Sequence, residues 1–214
     1  MERMISIASG CPFAISDEHI TTQVPSDTSS TLVGIEHRAA GAIEHFSRHV
    51  RLCQILSEIH GVQFFDQALP CGASNYTDWM QSTERSVQDW QDWFAIDGSI
   101  PGWAVRAADR CRLLLYRPCS RNIAPDGSCL RKACEVAIRM INRDCTVDQA
   151  DGLLLTFQDV FDAFQASMIL IYVVGNANTL ELGSAIDLQA HQALELLYPL
   201  FVSPARPSPS MQND

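Results

Sequence analysis

Apolar residues recur every three or four positions along most of this chain, the period of a helix with one buried face. From Glu36 to about Phe65, Ile43, Phe46, Val50, Cys53, Leu56 and Ile59 form one stripe, and Gly61 either ends that helix or merely weakens it. "PCGASNYT" reads as a loop. A second helix is predicted from about Tyr76 to Phe94, capped by Asn75 or Thr77, with Trp79, Val87, Trp90 and Phe94 on its buried side. "IDGSIP" restarts the chain, with Ser99 as cap and Pro101 in the first turn. The third helix then runs through Trp103, Ala107, Cys111, Leu114 and Leu115. It should stop at Tyr116–Arg117, because Pro118 disfavours helical geometry in the residue before it.

"PDGS" is a turn and cap, with Ser128 starting a fourth helix, "CLRKACEVAIRMINRD". A fifth is predicted over roughly Gln149 to Val174, with Leu153, Leu154, Phe157, Val160, Phe161, Phe164, Met168 and Ile171 as its apolar members. A sixth spans roughly Ile186 to Phe201. Residues 1–10 read as the tail of a helix. An extended connection follows, broken by Pro12 and Pro25, in which Ser16 or Asp17 caps a single turn. The proline- and serine-rich end, residues 203–214, is expected to be disordered. Strand alternation and internal repeats are missing, so the class is all-α, with about six helices over residues 1–202.

Composition narrows the function. Hydrophobic residues make up 47% of the 214, enough for a core, and the net charge is -10. Lys132 is the only lysine among the 15 basic residues, and no basic run or stripe is present. The chain therefore lacks the electrostatic footprint of a nucleic-acid binder and is not expected to bind nucleic acid on its own. The longest apolar run, Ala166–Gly175, is too short for a membrane span, and "MERMISIASG" does not have the form of a signal peptide. None of the eight cysteines stand in a C-x-x-C pair, and several lie on apolar helix faces. They read as reduced thiols of an intracellular protein rather than a disulfide framework.

Candidate chemistry is sparse. His45 and His49 sit at i and i+4, a spacing that can hold zinc. Phe46 stands where the zincin pattern needs glutamate, however, and His37, His60 and His191 offer no third ligand of set spacing. Asp159 and Asp162, at i and i+3, have the spacing of a magnesium–diphosphate pair but no third carboxylate, so an exposed acidic face is the preferred reading. Arg110, Arg112 and Arg117 suggest either an anion site or, preferred, arginines that snorkel and satisfy carbonyls and carboxylates at the helix end. Trp79, Trp90, Trp93 and Trp103 read as core and interface aromatics rather than a ligand cage. Without G-x-S-x-G, a P-loop or G-x-G-x-x-G, no catalytic, metal-binding or cofactor-binding residue is assigned, and no cofactor is expected.

Several stretches together carry a resemblance. "PFAISDEHITTQVPSD" (Pro12–Asp27), "HVRLCQILSEIH" (His49–His60), "YTDWMQSTERSVQDWQDW" (Tyr76–Trp93) and "RCRLLLYRPCSRN" (Arg110–Asn122) are similar, in order, to motifs of the fungal-specific transcription factor domain. That domain is the middle homology region of fungal zinc-cluster transcription factors. "GSCLRKACEVAIRMI" (Gly127–Ile141) resembles the helix that follows. The resemblance implies a helical regulatory domain in which Tyr116–Arg117–Pro118 is a structural joint. This chain has no six-cysteine zinc cluster, and its start resembles a point inside that domain, so only the domain's later part is expected.

The function implied by the resemblance is a transcription-factor-like regulator, without autonomous DNA binding, that acts in the nucleus through a protein partner or by self-association. Such a regulator could control a fungal gene cluster, including one for secondary metabolism, and could sense a small-molecule effector; the alternative location is the cytoplasm. A different class of function is a helical scaffold recruited as a cyclase-type biosynthetic enzyme, with His45, His49, Asp159 and Asp162 as its acids and bases. A third is a truncated fragment with no function of its own. Self-association would draw on Met4, Ile5 and Ile7 and on Leu153, Phe157, Phe161 and Phe164.

Overall fold

The computed structural model describes residues 6–7, 11, 13–15, 19–20, 22, 38–65, 67–70, 72–95, 98–151, 157–176 and 184–202, with side chains except at 38–42, 144–151, 157, 184–185 and 198–202. The expectations for residues 1–5 and 8–10, Pro12, Ser16, Asp17, Pro25, His37, Leu153, Leu154 and the 203–214 tail lie outside the described residues, as does that for the side chain of Phe157. The described architecture is all-α, as the periodicity predicts. Its helices are α1 (Arg38–Phe64), α2 (Tyr76–Asp92), α3 (Gly102–Tyr116), α4 (Gly127–Asp151), α5 (Phe157–Gly175) and α6 (Ser184–Val202). Ser6 and Ile7 are also helical, and Cys119 pairs with Asn122 in an isolated bridge. The chain divides into two compact units, Met1–Pro125 and Asp126–Asp214.

In the first unit, α1 packs against α2 and α3, which also pack against each other. Leu52, Ile55, Leu56, Ile59 and Val62 are the buried face of α1. The predicted stripe is therefore wrong in phase over its first half: Phe46 is 57% exposed, and Ile43 and Cys53 are also exposed. Other residues make the contacts of those turns. The Trp90 indole donates to the Arg48 carbonyl at 2.8 Å, and the Arg48 guanidinium lies 4.7 Å over the Trp93 ring. Gly61 does not end α1. The helix passes through it to Phe64, and the Gly61 carbonyl accepts from the amides of both Phe65 and Gln67.

Local chemistry sets the ends of the next two helices. Asn75 is extended, its side-chain oxygen accepts from the Asp78 amide at 2.9 Å, and its Nδ2 donates back to Asp78 at 2.9 Å. Ser99 does not cap α3. Pro101, whose ring presets φ, stands at the boundary, and its carbonyl takes the amides of Ala104 and Val105. The other end of α3 falls where Pro118 requires it, with Arg117 extended at ψ 155° and its amide bonded to the Leu113 carbonyl.

In the second unit, α4, α5 and α6 pack against one another through Leu130, Met140, Ile141, Leu170 and Leu197 together with a set of alanines. Ala133 and Ala137 of α4, Ala163 and Ala166 of α5, and Ala190 and Ala193 of α6 are all buried. Asp126, rather than Ser128, caps α4: its Oδ1 accepts from the Cys129 amide and the Ser128 hydroxyl, each at 2.8 Å. Those bonds hold its carboxyl below the usual range. Residues 149–151, expected in the fifth helix, instead complete α4, because the polar stretch after Ile141 carries no apolar stripe to mark a boundary.

Trp90 and Tyr116 are buried, whereas Arg121 is exposed. Trp90→Ala and Tyr116→Ala should each cost about 3–5 kcal/mol. Arg121→Ala should change stability by less than about 0.5 kcal/mol. Denaturant melts of the three variants should rank them in that order.

Candidate functional site

The junction "RLLLYRP" is held from three sides. Arg112 makes its three side-chain hydrogen bonds to α2: Nε donates to Glu84 at 2.8 Å, Nη1 to Gln91 at 2.8 Å and Nη2 to Gln88 at 2.7 Å, and Nη1 also lies 3.9 Å from the buried Asp109 carboxylate of its own helix. The Tyr116 hydroxyl donates to the other oxygen of the same Glu84 at 3.0 Å. Gln63 of α1 donates to the Leu115 carbonyl at 2.9 Å, and the Ser120 hydroxyl donates to the Gln63 carbonyl. Arg117 lies 4.6 Å over the Phe64 ring, and burial draws its pKa down to about 10, so it remains cationic at neutral pH. Arg112 and Arg117 thus serve different helices and do not form a shared anion site. Arg112 does satisfy a carboxylate, as the preferred sequence reading has it, but from a buried position against α2 rather than by snorkelling at the helix end.

His45 and His49 do face one side of α1, but they meet aromatic rings. His45 packs 5.4 Å from Trp93 and 5.7 Å from Phe94, and His49 stacks 5.7 Å from Trp103. Trp90 and Phe94 are buried in this cluster, whereas Trp103 is 45% exposed and forms its outer wall. Among the described residues, no group of three or more His, Cys, Asp or Glu side chains is placed to hold a metal ion. His60, which sequence reasoning set aside, is enclosed by Phe13, Phe64 and Phe65 at 5.1–5.4 Å. Burial holds its pKa below the ordinary value of 6.5. The Cys11 backbone opposes that effect and the Arg117 charge adds to it.

Asp159 and Asp162 do not make an exposed acidic face. Asp162 is 2% exposed and accepts from Gln158 one turn earlier at 2.7 Å; Asp159 is half-buried. The cysteines described with side chains are free. Burial pushes the thiols of Cys111 to about 12 and Cys134 to about 11.

The apolar stripe read from α5 lies on the outside of the helix. Val160, Phe164, Met168 and Ile171 are 43–54% exposed, while Ala163, Ala166, Leu170 and Val173 form the buried face. Spacings of four, four and three residues place the exposed set in one line along the helix. On α6, Leu188 and Leu196 are exposed as well. Ile7, expected on an uncovered face, is buried. No described helix is long and apolar enough to cross a membrane. No protein-family profile, curated protein or solved structure matches this chain.

Arg112→Lys keeps the charge but cannot place three donors on three acceptors. It should lower stability by about 1.5–3 kcal/mol, read as a shifted denaturant midpoint with an unchanged slope. For His60, the native pKa is lowered, so the unfolded chain takes up its proton first as the pH falls. The stabilisation is full above the unfolded value of 6.5 and is lost as the pH drops through the lowered native value. Stability measured from pH 7 downward should therefore decline less steeply in His60→Leu than in the parent chain.

Proposed function

We propose that this chain is a transcription-factor-like regulatory protein that acts in the nucleus through a protein partner and does not contact DNA itself. The observation that carries this reading is the exposed apolar line Val160–Phe164–Met168–Ile171 on α5. Its spacing suits an amphipathic helix laid along it, and the only charged residues of α5 are Asp159 and Asp162. Two features of the sequence support the same reading. Stretches of the chain resemble, in order, motifs of a fungal transcription factor regulatory domain, and the balance of -10 with a single lysine offers little to displace counterions from a duplex. The Arg112–Glu84–Tyr116 cluster supports the joint that the resemblance implies, because it spends the most distinctive residues of "RLLLYRP" on packing.

Deleting the gene should change the transcripts of a defined gene set. A copy carrying Phe164→Glu and Met168→Glu, with helix content and melting equal to those of the parent, should fail to restore them. A tagged parent chain should concentrate in the nucleus, and a gel shift with the purified chain should show no sequence-selective complex. Full rescue by the double variant would overturn the role of the α5 line. Unchanged transcripts with a lost metabolite would overturn the regulatory reading in favour of an enzyme.

A further inference from the structure

A polar cleft of about 470 Å³ lies in the first unit between α1, α2 and the loop that joins them. Its position follows from the local sequence. Arg51, Ile55 and Glu58 recur along one face of α1 at steps of four and three, and Trp79, Ser82 and Ser86 do so on α2. Between the helices, the Pro70–Ala73 turn is closed by the Ala73 amide on the Pro70 carbonyl at 3.2 Å. Gly72, at φ 104°, takes the left-handed third position of that turn and lines the cleft. Ile55 and Trp79 are buried at its floor.

The cleft's acids are occupied and its bases are not. Glu58 accepts from the Trp79 indole at 2.8 Å and from the Thr83 hydroxyl at 3.5 Å. Asp78 accepts from Asn75 Nδ2 within the α2 cap. Arg51 has only a long 3.4 Å bond to Gln54. Arg85 has no hydrogen bond or ion pair among the described residues, nor do the hydroxyls of Ser82 and Ser86. A second cleft of about 300 Å³ shares Glu58 and Pro70 with the first. It is lined by Ser57, whose Oγ is buried without a hydrogen-bond partner. In the larger cleft, two guanidinium groups without a carboxylate partner, on a chain of net charge -10, stand with the free hydroxyls of Ser82 and Ser86 around a ligand-sized space.

We propose that this cleft binds a small hydroxylated oxyanion, with Arg51 and Arg85 holding its charge and the serine hydroxyls of α2 its remaining oxygens. Guanidinium forks suit both phosphate and carboxylate oxygens, so a phosphorylated metabolite and a polycarboxylic acid share the required chemistry. The volume matches a compact ligand, and the polar rim favours one rich in oxygens. Binding at this cleft involves no gene or partner and is independent of the regulatory role proposed above.

The test is calorimetric titration of the full chain at low ionic strength with inorganic pyrophosphate and, separately, with citrate. At least one should bind saturably, with a dissociation constant of about 1 mM or tighter. Arg85→Gln and Arg51→Gln should each weaken that binding about tenfold. Arg131→Gln, an equal change of charge at an exposed residue of α4, should leave it unchanged. Binding of pyrophosphate alone would identify a phosphorylated ligand, and binding of citrate alone a polycarboxylate. Melting curves check that each variant is folded. No saturable binding of either anion, or equal weakening in all three variants, would overturn the proposal.

Discussion

One buried guanidinium organises the first unit. Arg112 stands on α3, yet every strong bond of its side chain crosses to α2, where Glu84, Gln88 and Gln91 lie on one face at steps of four and three. A point charge such as lysine cannot serve three acceptors spread over two helical turns; a planar fork can. Tyr116, one turn further along α3, closes on the second oxygen of Glu84, so the carboxylate is shared by both ends of the contact. The register of α3 on α2 is therefore set by hydrogen bonds with direction, whereas the apolar residues around them supply most of the burial. Once α3 is placed, its last carbonyls meet Gln63, and the chain leaving Pro118 is tied back to the end of α1.

Helix number and class were legible in the sequence because they depend on period and on strong punctuation. Asn75 and Pro118 mark boundaries through their own chemistry, and both boundaries fall where that chemistry puts them. Phase was less legible. In α1, Phe46 looks like a core residue, but the aromatic cluster of Trp90, Trp93 and Phe94 reaches α1 through His45 and the Arg48 carbonyl instead. Periodicity weighs a side chain by its size and cannot report which neighbour arrives. The Ser99 and Ser128 caps failed for local reasons, each two residues from the observed boundary: Pro101 starts α3 through its fixed φ with no side-chain cap bond, and the Asp126 carboxylate takes the Cys129 amide at the start of α4.

The second unit buries alanines beside large apolar side chains such as Leu130, Ile141 and Leu170. "ASMILIYVVG" is apolar nearly all round, so its hydrophobicity selects no face. The buried side of α5 carries alanines that face a core where α4 and α6 also present alanines. Leu170 and Val173 share that buried side, so size alone does not separate it from the exposed line of Val160, Phe164, Met168 and Ile171. The candidate chemistry of the sequence was dispersed in the same way: the histidines of α1 became ring partners, and Asp162 became an internal acceptor. What sequence reasoning did not single out is the pair Arg51 and Arg85. They lie 34 positions apart, on different helices, and only the fold brings them to one cleft.

The buried thiols carry a separate consequence. Cys111 lies in the first unit and Cys134 in the second, each sealed in its core. With pKa values near 12 and 11, neither has appreciable thiolate at neutral pH, and neither can be reached by a reagent in the closed state. Each can be alkylated only when its surroundings open, whereas Cys53 is available at all times. The three sulfurs therefore form a built-in clock with two hands and a reference. The rate at which Cys111 is consumed follows transient opening of the first unit, and the rate for Cys134 follows the second, so the chain records the local stability of each half separately.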